Sequence, residues 1–355
     1  MGIEAFERVH LDGTGIDRIT EDEVVAVVRD ALAHRRGGRI VTPNVDILRR
    51  AAADPEARRH LDDADLIVAD GMPLIWASRL GGSPLPERVA GSSLIWSLSQ
   101  GLGRDGRSIF VIGGRPTTRK VGSVLAEDVA RLENGVDRFA ADVSRLAAQV
   151  GRLADAKRVS RFAGAERAGR LAGAERAGRL AGVEHVGRVA GVAGEEGWAA
   201  EGRLIRPARP GLPLDGAERC AARLVAASPG LRIAGTISPA FGFERDEEGY
   251  AMLCARVADA RPDLVFVGLG FPKQERVIER LRPDMPATWF VGCGAAVDFV
   301  AGDVERAPRW MQRTGLEWAH RLGTEPRRLA RRYLRDDAPY ALRLLARARR
   351  RDRRV

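Results

Sequence analysis

The sequence predicts an α/β fold: a Rossmann-like parallel sheet flanked by helices, with a C-terminal helical appendage and a low-complexity insertion. Two observations lead there. Short apolar runs alternate with helix-length amphipathic stretches through residues 1–116 and 210–305. Most of these runs end in a turn containing Gly, Pro, Asn or Asp before the next helix begins. In such folds ligands bind at the carboxyl ends of the strands. The remaining residues of the 355 divide into the insertion at 117–209 and a basic segment at 306–355.

The elements follow in order. TEDEVVAVVRDALAHRR (20–36) reads as a helix, with Thr20 and Glu23 spaced as a capping box and Gly37-Gly38 ending it. RIVTPN (39–44) is a strand entering a Pro-containing loop; VDILRRAA begins a helix and Asp54-Pro55 restarts it. Residues 65–69 form a strand, Asp70-Gly71-Met72-Pro73 a loop, and PLIWASRL a helix. LPERVAGSSLIWSLSQGLGRDG is a loop and helix, and SIFVIGGRP (108–116) a strand with a Gly-Gly turn. After the insertion come a helix (GAERCAARLVAASPG), a strand (LRIAGTISPAF), a helix (EEGYAMLCARVADARP) and a strand (DLVFVGLGFP). QERVIERLRP is then a helix and ATWFVGCGAAVDFV a strand and loop.

The insertion holds a nine-residue repeat: RFAGAERAG, RLAGAERAG, RLAGVEHVG and RVAGVAGEE, over 161–196. Each glycine costs about 1 kcal/mol against alanine in a helix. The period also places successive units on opposite helix faces, and it is shorter than the solenoid units of about 20 residues or more. The repeat reads as a low-complexity expansion, flexible or marginally helical.

The net charge is +10, and Arg321–Val355 alone holds 13 Arg against 4 acids. That imbalance points to an anionic partner: a membrane surface, a nucleic acid or a phosphorylated substrate. The last residues, ARARRRDRRV, are expected to be a solvated, disordered tail. The three cysteines, Cys220, Cys254 and Cys293, fit no metal spacing and are expected to be reduced and buried. No signal core precedes the first helix, and no apolar run is long enough to span a bilayer.

Several stretches carry chemistry. Thr42 and Asn44 follow a strand; they can bind ligand hydroxyls, while Asn44 equally suits a helix cap. Asp70 also follows a strand, as a general base or as a cap. The glycine-rich turns do not match the dinucleotide fingerprint, and there is no P-loop, nucleophile elbow or HExxH. In 306–337 Trp310, Trp318, Leu322, Leu329, Tyr333 and Leu334 interleave with Arg321, Arg327, Arg328, Arg331 and Arg332. This suits an interfacial amphipathic helix, a cationic lid over a diphosphate or a packed helix with a basic face.

Taken in order, TPNVDIL (42–48), ADGMPL (69–74), LPERVAGSSL (85–94), FVIGG (110–114), PDLVFVGLGFPKQE (262–275), VGCGAAVDFVAGDVERAPRWMQRTGLEW (291–318) and RLGTEPRRLARRYL (321–334) resemble the WecG/TagA/CpsF glycosyltransferases. The resemblance implies an inverting transferase that moves an N-acetylmannosamine-type sugar from a UDP-sugar to a polyprenyl-diphosphate-linked N-acetylglucosamine. It implies no metal or other cofactor and a place on the inner face of the cell membrane. It implies Asp70 as general base. Thr42 and Asn44 would hold a sugar, Arg88, Lys273, Gln274 and Asp298 would line the pocket, and Arg321, Arg328 and Arg331 would neutralise a diphosphate or meet the membrane. Gln274 is expected to touch ligand, Lys273 to neighbour a phosphate and Glu275 to cap its helix; Gly268 and Gly270 would let the backbone approach the donor. Val297 stands where the family has an aromatic residue. The competing readings are a nucleic-acid-binding protein that uses the basic tail and a degenerate family member serving as a scaffold. Homo-oligomerisation is left open.

Overall fold

The computed structural model describes residues 3–116 and 214–352; the insertion, with its repeat, lies outside the described residues. The chain opens with an antiparallel hairpin, β1 (Arg8–Leu11) and β2 (Thr14–Asp17). Asp12 and Gly13 make its turn, with φ of 47° and 83°. Two successive positive values are what a type I′ hairpin turn requires, and Asp-Gly supplies them with little strain.

The core then runs α1 (Glu21–Ala33), β3 (Gly38–Val41), α2 (Val45–Ala53), α3 (Pro55–Asp62), β4 (Leu66–Ile67), α4 (Met72–Leu80), α5 (Gly91–Arg104) and β5 (Ser108–Gly113). After the insertion come α6 (Gly216–Ala227), β6 (Arg232–Ile237), α7 (Glu247–Ala260), β7 (Leu264–Gly268), α8 (Lys273–Leu281), β8 (Trp289–Gly292) and α9 (Ala296–Ala301). The capping box at Thr20 and Glu23 is formed as expected, and Asp215 with Glu218 makes a second one at α6. The backbone N–H of Gly216 donates to the Arg115 carbonyl at 2.9 Å, so the described residues on either side of 117–213 meet.

Six strands form one parallel sheet in the order β4-β3-β8-β7-β5-β6. Alternate residues face opposite sides. Ile109, Val111, Leu264, Phe266, Trp289 and Val291 pack with α1, α5, α6 and α9. Phe110, Ile112, Val265, Val267 and Phe290 pack with α7 and α8, while Val41 and Ile67 pack with α2, α3 and α4. The strand expected over 65–69 shortens to Leu66–Ile67 at the sheet edge. There Asp17, at the end of the hairpin, accepts the Ile67 N–H at 2.7 Å and blunts that edge.

The appendage continues through α10 (Arg309–Thr314), α11 (Glu317–Thr324), α12 (Pro326–Ala330), a π-helical stretch (Arg331–Asp337) and α13 (Ala338–Asp352). Helical backbone angles persist across both junctions, so 326–352 is one helix with a widened middle. This corrects the expected disordered tail: the helix runs through Asp352, because Tyr340 and Leu344 are buried against α2 and α4. Gly315 sits on Met72 and Trp76 at the start of α4, and Ala348 lies beside Gly81 at its end. The appendage therefore runs along α4 from the carboxyl edge of the sheet to the amino edge.

The deepest polar feature is an ion pair. Arg39 on β3 and Glu275 on α8 are 1% and 0% exposed, with Nη2 donating to Oε2 at 2.6 Å and Nε at 3.2 Å. Removing one partner of such a pair strands the other charge in the core, at a cost of about 3–5 kcal/mol, while apolar replacement of both is often neutral. Glu275→Ala is therefore expected to lower stability by about 3–5 kcal/mol, measured by urea denaturation. The double variant Arg39→Met/Glu275→Leu is expected to regain most of that loss; no recovery would mean that the pair is not the source.

Candidate active site

The loops after β3, β4, β7 and β8 gather at the carboxyl edge and are tied together there. Thr42 is buried, and its Oγ1 donates to the Gly292 carbonyl at 3.1 Å, joining the ends of β3 and β8. Asn44 caps α2, with Oδ1 accepting the Ile47 N–H at 3.2 Å. The Asp70 N–H donates to the Pro43 carbonyl at 2.9 Å, and the Val89 N–H to the Ala69 carbonyl at 3.0 Å. Thr42, Asn44, Asp70 and Arg88 thus stand on neighbouring, mutually bonded loops.

Asp70 keeps 28% of its side chain exposed at this edge. Burial pushes its carboxyl up to about 6; Arg88, Arg306 and Arg321 work against that rise and Glu317 adds to it. The Arg88 guanidinium lies 3.9 Å from Asp70 but donates to Glu317 Oε2 at 3.1 Å. Arg306 stands 3.6 Å from the other Glu317 oxygen. Glu317, at the start of α11, holds both arginines, so among the described residues Asp70 keeps only the 3.9 Å ion pair with Arg88 and no arginine hydrogen-bonds it. Arg306 and Glu317 were not singled out from the sequence; their only signal is their place in the stretch 291–318 that carries the resemblance.

Arg321 lies over the Phe299 ring of α9 at 5.3 Å and acts on Asp70 through its charge. Arg331 is exposed farther along the appendage. The side chain of Arg328 lies outside the described residues. Asp298 is half-buried on α9, in a stretch read from sequence as a loop.

Two expectations at the start of α8 are corrected. Gln274 is 3% exposed: its Nε2 donates to Glu275 Oε1 at 2.9 Å and its Oε1 accepts the Gly294 N–H at 3.0 Å. It positions the loop after β8 and does not open onto ligand. Glu275 does not cap its helix; it neutralises Arg39. Lys273 is engaged by Glu244. Space explains the first two. A Cβ on Gly292 would come within 2.5 Å of Gln274 Nε2 and 2.6 Å of Glu275 Oε1, so the missing side chain on β8 admits the first turn of α8. Gly268 is needed for packing: a Cβ there would meet Val297 Cγ2 at 2.5 Å. Gly270 has nothing within 4 Å of that position and a φ of 76°.

Among the described residues, no group of three or more His, Cys, Asp or Glu is placed to hold a metal ion. The charges gathered at the carboxyl edge are one carboxylate with a raised pKa and several guanidinium groups. Together they can accept a proton and stabilise developing negative charge on a diphosphate.

The chain is 24% identical over 300 residues to the N-acetylglucosaminyldiphosphoundecaprenol N-acetyl-beta-D-mannosaminyltransferase of Bacillus spizizenii (strain ATCC 23059 / NRRL B-14472 / W23), covering 84% of this chain and 76% of that protein. It is 39% identical over 103 residues to the protein of the same description from Bacillus subtilis (strain 168), covering 29% of this chain and only 38% of that relative. The model of the Glycosyl transferase WecG/TagA/CpsF family matches residues 9–138 and 163–354, leaving out 139–162 within the stretch read as an insertion. With nearly the whole chain matched, this protein belongs to the WecG/TagA/CpsF family of glycosyltransferases.

Proposed function

We propose that this chain transfers an N-acetylmannosamine-type sugar from a UDP-sugar to a polyprenyl-diphosphate-linked N-acetylglucosamine, inverting the anomeric centre, in cell-surface polysaccharide assembly. The observation that carries the reading is Asp70, with its carboxyl raised to about 6 among Arg88, Arg306, Arg321 and Glu317. The relatives' names supply the acceptor and the sugar.

In this mechanism Asp70 takes the proton from the acceptor hydroxyl as its oxygen attacks the anomeric carbon. The bond from that carbon to the UDP oxygen breaks on the opposite face, and UDP leaves with the electron pair. One base on the nucleophile's side suffices for a single inverting displacement. Arg321 and Arg306 neutralise the departing diphosphate, with Arg331 joining from the appendage; the positive charge comes from guanidinium groups and no metal is required. Thr42, Asn44 and Gln274 set the loops against which the sugars lie. The acceptor's lipid keeps the protein on the inner membrane face, with the appendage against it. No helix among the described residues is long and apolar enough to cross a bilayer. Trp310, Trp318 and Leu334 are 60%, 45% and 56% exposed beside the arginines of the appendage, a composition that suits an interfacial surface.

Asp70→Asn is expected to lower kcat by about 10²–10⁴-fold. A carboxyl raised above its unfolded value disfavours the ionised folded form as pH rises toward 6. The variant should therefore melt no lower than wild type at pH 7.5, which separates lost chemistry from lost folding. Wild-type kcat/KM should rise with pH through about 6 as Asp70 ionises. Near-wild-type turnover by Asp70→Asn would rule it out as the base.

Glu317→Gln removes a charge that raises the Asp70 pKa and releases Arg88 toward Asp70. The acidic limb of the kcat/KM profile is expected to move to lower pH; a profile that stays in place would show that Glu317 does not tune the base.

Trp310→Ser/Trp318→Ser is expected to weaken binding to anionic vesicles on the order of tenfold while retaining the wild-type melting temperature. Unchanged sedimentation with vesicles would remove the appendage as the membrane contact.

A further inference from the structure

A second charged site lies at the opposite edge of the sheet. It is a cavity of about 530 Å³ lined by Asp12, Arg49, Ala51–Ala53, Arg58, Tyr340, Arg343 and Arg347. Asn44 and the start of α2 stand at the carboxyl edge with Asp70, whereas Ala51–Ala53 form the far end of α2. Nine residues of α helix separate the two ends by roughly 14 Å, so the cavity is distinct from the Asp70 site.

We propose that this cavity binds a compact phosphate-bearing anion. Its one lining carboxylate is already satisfied, because Tyr340 Oη donates to Asp12 Oδ2 at 2.7 Å and Arg347 pairs with Oδ1. Arg58 bonds Asp62 and the Gly13 carbonyl, and Arg49 is shared between Asp46 and Asp337. Asp46 also serves Arg50, and Asp337 lies 3.8 Å from Arg332. Five guanidinium groups (Arg49, Arg50, Arg58, Arg332 and Arg347) therefore share four carboxylates (Asp12, Asp46, Asp62 and Asp337), and Arg343 adds a further positive charge.

Arg343 is exposed and has no ion-pair partner among the described residues. It stands one turn before Arg347 on α13, a spacing at which like charges repel on a helix. An anion between them removes that repulsion and accepts the planar, paired donors that guanidinium offers to phosphate. Helix ends do not oppose this, because α2 finishes at Ala53 and α3 starts at Pro55, which sets a negative and a positive end side by side. The small side chains of Ala51–Ala53 leave room for the anion. The chemistry is that of a free phosphate or diphosphate, and equally of the phosphate in an anionic lipid headgroup.

The test uses the full chain in two arms: calorimetric titration with inorganic pyrophosphate, and sedimentation with phosphatidylglycerol vesicles. The Arg321→Gln variant removes any pyrophosphate bound at the carboxyl edge. Arg335→Glu is the charge control, since Arg335 is exposed on the same helix and does not line the cavity. Arg343→Glu is expected to weaken binding at least tenfold in one arm or both, in the wild-type and Arg321→Gln backgrounds alike and with an unchanged melting temperature, while Arg335→Glu retains it. Loss in the pyrophosphate arm assigns a free anion, and loss confined to the vesicle arm assigns a headgroup. Arg58→Gln should reproduce the effect from the other wall of the cavity. Wild-type affinity of Arg343→Glu in both arms overturns the proposal, as does an equal loss in Arg335→Glu.

Discussion

The buried pair between Arg39 and Glu275 is the constraint on which the rest of this structure turns. It places a charged strand residue and a charged helix residue in the interior, at 1% and 0% exposure. An ion pair this deep is tolerated only when its remaining lone pairs and protons are used. Glu275 therefore takes a second bond from Gln274, whose carbonyl in turn holds the Gly294 N–H. His60 lies beside the pair, fully buried, and burial together with the Arg39 charge pushes its pKa down. The consequence travels outward. Gly292 must lack a side chain to admit Gln274 and Glu275, and its carbonyl receives Thr42. The floor beneath the candidate active site is thus an extension of a core ion pair.

Above that floor the electrostatics are set by residues distant in sequence. Asp70 and Arg88 come from the first half of the chain, while Arg306, Glu317 and Arg321 arrive with the appendage. Glu317 draws Arg88 and Arg306 to itself, leaving Asp70 near three cations with only the 3.9 Å ion pair to Arg88 and no hydrogen bond from any of them. A direct bidentate arginine would hold Asp70 ionised but weakly basic, whereas burial without nearby cations would keep it protonated. The observed arrangement sits between these limits, where a carboxylate is an effective proton acceptor near neutral pH. The same appendage, continuing down α4, presents its remaining arginines to the amino edge.

The alternation of strands and helices was legible because the central strands β5, β7 and β8 are apolar on both faces and most helices are bounded by a cap or a breaker. Local signals succeeded where the stabilising partner is local, as at Thr20 with Glu23 or Asn44 with Ile47. The hairpin at the start was missed although Asp12-Gly13 is a strong turn signal, because its strands are short and flank an otherwise polar stretch. The tail was misread because its arginines dominate the composition, while the residues that dock it, Tyr340 and Leu344, recur only once per turn. At the carboxyl edge, the loops bearing Asp70, Thr42 and Arg88 were legible as strand-end turns, and the fold brings them together. Gln274 and Glu275 were misassigned because a polar helix start looks the same whether it faces solvent, ligand or a buried counter-charge.

By itself the sequence determined the α/β class, the run of strand-loop-helix units, the family and the loops that carry chemistry. These follow from periodicity, turn residues and ordered motifs, all of which act over a few residues or are read in order along the chain. Tertiary structure alone decided which polar residues face the site and which face the core. It assigned Glu275 to Arg39, with Gln274 bonded to Glu275, and Glu317 to Arg88. Those pairings join residues 236 and 229 positions apart, and they depend on which strand lies beside which and where a glycine leaves space. A charge becomes a partner or a catalyst only through its neighbours, and strand order, not spacing, decides who those neighbours are.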